Sequence, residues 1–133
     1  MTESERVRSW LEYGDHDWNT AKQMSTTNPP PLEIIAFHYE QAAEKYLKAC
    51  LVANSLPLPK IHDLLHLNRL LAPAFPQISE LEAECDRLSD FGTITRYPSE
   101  TIVLDETRIC IAEQACRKIC DRVRDLLAAR LQE

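Results

Sequence analysis

The sequence predicts an all-α domain, an up-and-down bundle of four to five helices. Three observations carry that expectation. Glycine occurs only twice in 133 residues, and hairpin-rich β folds need turn glycines. Apolar residues recur three and four apart through five segments, the period of a helix with one buried face. The prolines fall between these segments, in "NPPP", "LPLP", "PAFP" and at Pro98, where a helix cannot continue.

The first helix is predicted from about Glu3 to Met24, capped by Thr2 or Ser4, with Val7, Leu11, Gly14, Trp18 and Ala21 facing inward. Gly14 inside a helix costs about 1 kcal/mol relative to alanine, which a close helix crossing would explain. Asp17 borders the inner stripe; the competing reading is a solvated carboxylate. The second helix is expected from about Pro31 to Ala53. Ile35, His38, Ala42, Tyr46, Ala49 and Ala53 form one stripe, and Ile34, Phe37, Gln41, Lys45, Lys48 and Leu51 a mixed one beside it. Such a helix touches neighbours on both sides, within the bundle or across a dimer.

"IHDLLHLNRLLA" predicts a short third helix capped near His62 or Asp63. A fourth is expected over Gln77 to Phe91, with Gly92 in the left-handed position after its end and "TITRYPSET" as a loop. Glu80 and Glu84 read as solubilising charge on its outer face. The last helix is predicted from about Asp105 to Leu131, with Ile109, Ala112, Cys116, Ile119, Val123 and Leu126 inward. Glu113, Arg117, Asp121 and Arg124 alternate in sign on its far side, the pattern of a solvated, ion-paired face.

Composition is that of a globular chain, 44% hydrophobic and 27% charged, and the length suits one domain over 1–133. The net charge of -6 gives no overall field toward nucleic acid, although residues 108–130 carry six basic side chains against three acidic ones. No apolar run of about 18 residues predicts a membrane span, and the N-terminus lacks the apolar core of a signal peptide. A cytoplasmic location is expected, with the five cysteines as thiols. Cys116 and Cys120, one turn apart, read as small core residues rather than metal ligands. No metal or cofactor is expected: phosphate-loop, zinc and Ser-His-Asp patterns are all absent.

Several segments carry a family likeness. "HYEQAAEKYLKACL" in the second helix, "IHDLLHL" at the third and "RYP" at Arg96 to Pro98 together resemble the HEPN domain family, whose name refers to nucleotide binding in higher eukaryotes and prokaryotes. "WLEYGDHDWNTA" resembles its first helix, so the likeness spans nearly the whole chain. It implies a helical bundle paired as a homodimer, with a cleft near the seam and nucleotide or RNA as ligand. It also implies, for many bacterial members, a small nucleotidyltransferase as partner, some such pairs acting as toxin and antitoxin. RNA-cutting members carry an arginine followed four to six residues later by a histidine. None of His16, His38, His62 and His66 has such an arginine, and no histidine follows Arg96 in range. Binding is therefore favoured over cutting, and no catalytic residue is assigned.

The residues expected at the ligand are Arg96, Tyr97, Lys45, Lys48, His38 and Asp17. The Arg96 guanidinium can fork onto two phosphate oxygens beside a helix N-terminus; the alternative is a structural pair with Asp17 or Glu44. Tyr97 offers a stacking face or ordinary packing. Lys45 and Lys48 add donors or are solvated. His38 is a ligand group or a hydrogen-bonded core histidine, and His62 and Asp63 are explained by capping. The other function classes are an RNA endonuclease with an altered site, using Arg96 with His38 or His62, and a structural interaction protein without ligand.

Overall fold

A computed structural model describes residues 1–96 and 104–131, with 92–96 and 129–131 by backbone alone. All regular structure among the described residues is helical. The order is α1 (Glu3–Met24), α2 (Leu32–Ala53), α3 (Leu64–Leu71), a 3-10 segment (Pro76–Leu81), α4 (Glu82–Arg96) and α5 (Glu106–Leu131).

The local chemistry sets the ends. Thr2 caps α1 through a reciprocal box: its Oγ1 accepts from Glu5 N at 3.1 Å and its own N–H donates to the Glu5 carboxylate at 2.9 Å. Asp63 caps α3 by accepting from Leu65 N at 3.0 Å. At the end of α2, Ser55 takes a left-handed conformation (φ 54°) and Leu56 N–H donates back to Leu51 O at 2.9 Å. Glycine usually fills that position, and here serine does.

The helix α2 is the hub. Fourteen of its 22 residues are buried, and it packs against α1, α3, α4 and α5. Its two apolar faces are therefore used inside one chain. The bundle core joins Val7 and Leu11 of α1, Tyr39, Tyr46 and Leu47 of α2, Leu64 and Leu67 of α3, Cys85 and Leu88 of α4, and Cys116, Ile119 and Leu127 of α5. The most extensive contact is α1 on α2. A Cβ on Gly14 would lie 2.5 Å from Tyr46 Cε1, so the glycine expected to mark a close crossing does so.

Three expectations are corrected. The fourth helix opens as a 3-10 segment at Pro76 and becomes α-helical only at Glu82. It then runs through Gly92 to Arg96, so Gly92 does not end it and Thr93–Arg96 is not loop. One interior glycine costs only about 1 kcal/mol, whereas the next proline, Pro98, is what a helix cannot pass. Finally, Glu84 is buried at 8% exposure rather than exposed. Its Oε1 lies 3.4 Å from Lys118 Nζ of α5.

Candidate functional site

Along the outer edge of α2, His38, Gln41, Lys45 and Lys48 follow one another at steps of three and four residues, which puts them in one row. The row is backed by two buried carboxylates. Asp17, 8% exposed, comes from α1, and Glu44, 3% exposed, from α2 itself. His38 Nδ1 lies 2.8 Å from Asp17 Oδ1, and Lys45 Nζ donates to Asp17 Oδ2. Lys48 Nζ donates to Glu44 Oε2 at 3.2 Å, and His62 Nδ1 lies 2.8 Å from Glu44 Oε1. Lys48 Nζ also stands 5.7 Å from the Trp10 ring centroid, within cation–π range.

A polar seam results, in which each carboxylate holds one histidine and one lysine. Taking a carboxylate out of water is costly unless charge and hydrogen bonds compensate it, and the seam supplies both. The arrangement also fixes what the outer atoms can do. An ammonium has three donors, and each lysine uses one on its carboxylate. Each histidine uses Nδ1, leaving Nε2 for another partner. The seam thus offers oriented donors with little net charge.

Of the residues expected at a ligand, Asp17, His38 and Lys45 are brought into direct contact, and Lys48 sits one turn along in the neighbouring cluster. Asp17 is not a solvated carboxylate, and His62 does more than flank a helix cap. Arg96 is the last residue of α4, not part of a loop leading into α5; its side chain lies outside the described residues. Tyr97 also lies outside them. Asp17 and Glu44, considered as partners for Arg96, are each engaged by a histidine and a lysine.

A second polar cluster was not foreseen. Asp15 of α1 accepts from Arg124 of α5 through both oxygens at 2.6 Å, and from Tyr46 Oη at 2.7 Å. Arg124 Nε also lies 3.4 Å from Cys120 Sγ. The clamp ties α1, α2 and α5 together. Burial, then the hydrogen bond to Asp15, pushes the Tyr46 hydroxyl pKa well above its ordinary value. For Arg124, burial alone would lower the guanidinium pKa, but its hydrogen bonds to Asp15 and Cys120 leave it raised. The alternating charges of α5 had suggested a solvated face. Glu113 and Arg117 do pair there at 2.9 Å, but Arg124 crosses to α1.

No helix among the described residues is long and apolar enough to cross a membrane. A family model described as "HEPN domain" matches residues 7–132 of the chain. No curated protein and no solved structure matches it.

Proposed function

Since the chain belongs to the HEPN domain family, we propose that it is a cytoplasmic, dimeric nucleotide- or RNA-binding module that works beside a small nucleotidyltransferase, as one half of a toxin–antitoxin type pair. One observation carries the reading within this chain: the ammonium donors of Lys45 and Lys48 are held in a row, alongside the His38 ring, by buried carboxylates. Anchored donors lose less freedom on binding than solvated side chains do. Because the carboxylates neutralise the row, it contributes hydrogen bonds to a phosphate, and Arg96 contributes the net positive charge. Tyr97 supplies a face for a base.

The test is thermal denaturation with and without ATP. A nucleotide that binds the folded state raises the melting temperature by mass action. The shift is expected in the parent chain and lost in Arg96→Ala and in Lys45→Gln. No shift with any nucleotide at millimolar concentration refutes the reading. Sedimentation of the purified chain tests the pairing, and co-purification with the product of the neighbouring gene tests the partner.

A second reading is favoured by the Asp17–His38 contact alone. A carboxylate on Nδ1 fixes the tautomer and leaves Nε2 as a proton acceptor, the arrangement of a general base. In this reading His38, with Arg96, cleaves RNA in place of the family's usual arginine–histidine pair. Incubation with tRNA distinguishes the two: cleavage abolished in His38→Asn supports it, and RNA left intact by the parent chain removes it.

A further inference from the structure

Between α1 and α5, over the Tyr46 ring of α2, lies an open cleft of about 410 Å³ lined by Asp15, Trp18, Tyr46, Arg117, Cys120 and Asp121. Its volume falls within the range of small-molecule sites. It exists because α1 and α5 both pack on α2 and meet each other mainly through long side chains, which leaves a trough between the two outer helices. The polar seam of α2 shares none of these six residues.

The walls specify a ligand. Trp18 is half-buried and held edge-on by Tyr39, with centroids 5.3 Å apart, so its position is set before anything binds. Arg117 lies over the indole with Cζ 5.5 Å from the ring centroid, and its side chain is 58% exposed. Asp121 is exposed and makes no ion pair among the described residues. The remaining charges cancel: Arg124 neutralises Asp15, Glu113 is shared by Arg117 and Lys22, and Asp121 offsets the surplus cation. A trough with balanced charge favours neither a phosphate nor an amine. It suits a neutral planar heterocycle that stacks on an indole, accepts from a guanidinium and donates to a carboxylate.

We propose that this cleft binds a guanine base: Arg117 swings off the indole that it covers in the free chain, the purine stacks on Trp18 in its place, O6 and N7 accept from the displaced guanidinium, and the N1–H and N2 amino group donate to Asp121. Arginine paired with the O6/N7 edge is the commonest specific contact to guanine. Adenine offers N7 but a donor where guanine has O6, so it cannot satisfy both side chains. Because the cleft is charge-balanced, guanosine, GMP and GTP bind alike. A phosphate-dependent site on the α2 seam would behave differently.

The probe is guanosine, with adenosine and cytidine as comparisons. In a Trp10→Phe background Trp18 is the single tryptophan, and its fluorescence is expected to be quenched saturably by guanosine. Affinity for adenosine should be about tenfold weaker, the equivalent of ~1.4 kcal/mol. Asp121→Asn and Arg117→Gln, both at exposed positions, should each weaken guanosine by about tenfold or more, and Asp121→Asn, which breaks no ion pair among the described residues, should leave the melting curve unaltered. A second readout uses the thiols of α5: guanosine should slow alkylation of Cys120, which lines the cleft, and leave the exposed Cys110 unaffected. Absence of both quenching and protection at millimolar guanosine overturns the assignment, as does equal binding of adenosine. Nucleotide binding that needs phosphate and Arg96 but survives Asp121→Asn would support the α2 seam and refute the cleft. Phosphate-independent guanosine binding that survives Arg96→Ala would do the reverse.

Discussion

Gly14→Ala gives a sharp test of how α1 and α2 meet, because local and tertiary physics push in opposite directions. In an isolated helix the change is favourable by about 1 kcal/mol. In the folded chain the new methyl would sit 2.5 Å from Tyr46 Cε1 and 2.8 Å from Cδ1, about 1 Å inside the usual carbon–carbon contact. The ring cannot swing away cheaply. It is 1% exposed, its hydroxyl is held by Asp15, and the Arg124 guanidinium lies 5.8 Å from its centroid. Overpacking a pinned core side chain costs ~1–3 kcal/mol, so after the helical gain of about 1 kcal/mol the net effect should be a loss of up to ~2 kcal/mol. For a chain of this size that lowers the melting temperature by up to roughly 10 °C. Thermal denaturation followed by circular dichroism measures it. In a Tyr46→Leu background the obstruction is gone, and the same substitution should raise stability by up to ~1 kcal/mol. A higher melting temperature for Gly14→Ala in the parent chain would refute the packing argument.

Other perturbations test the remaining features. Ser55→Gly relieves a left-handed non-glycine residue and should stabilise by ~0.5–1 kcal/mol in urea titrations, less a little for the exposed hydrogen bond from Ser55 to Glu3. Asp17→Ala strips His38 and Lys45 of their shared acceptor and should cost ~1–3 kcal/mol, while Arg124→Met, which breaks a pair about two-fifths exposed on each side, should cost at most ~1 kcal/mol. Alkaline titration should destabilise the fold. Burial pushes the Tyr39 hydroxyl up to about 12, and Tyr46 also lies above its ordinary value. A raised folded-state pKa means that the native state keeps its proton after the unfolded chain has lost it. The stabilisation is therefore whole below pH ~10 and declines by ~1.4 kcal/mol per pH unit for each tyrosine, until the folded value is reached. Tyr39→Phe should flatten the slope between pH ~10 and ~12; an unchanged slope counts against it.

The bundle was legible because its helices are amphipathic, glycine-poor and separated by prolines, so period and punctuation agree. The limits of α4 were not, since Gly92 is compatible with either a cap or an interior position. Within the site, the sequence marked Asp17, His38 and Lys45 as candidates but gave no sign that they touch. Their separations of 21 and 28 residues become contacts only through the α1–α2 crossing at Gly14. The clamp from Asp15 to Arg124 spans 109 residues. Arg124 looked like one more charge on a solvated face because local pattern records sign and spacing, not what lies opposite. Glu84 was misread for the same reason.

The placement of α2 among four neighbours bears on how the chain comes apart. No outer helix can detach without baring part of the same spindle, so partial opening should be confined to peripheral turns. Amide exchange along the middle of α2 should therefore report global unfolding, whereas the outer edge of α1 around Tyr13 should exchange through smaller fluctuations. The element that presents the polar seam is also the one held most tightly, so any ligand there meets a rigid rail and must itself supply the adjustment.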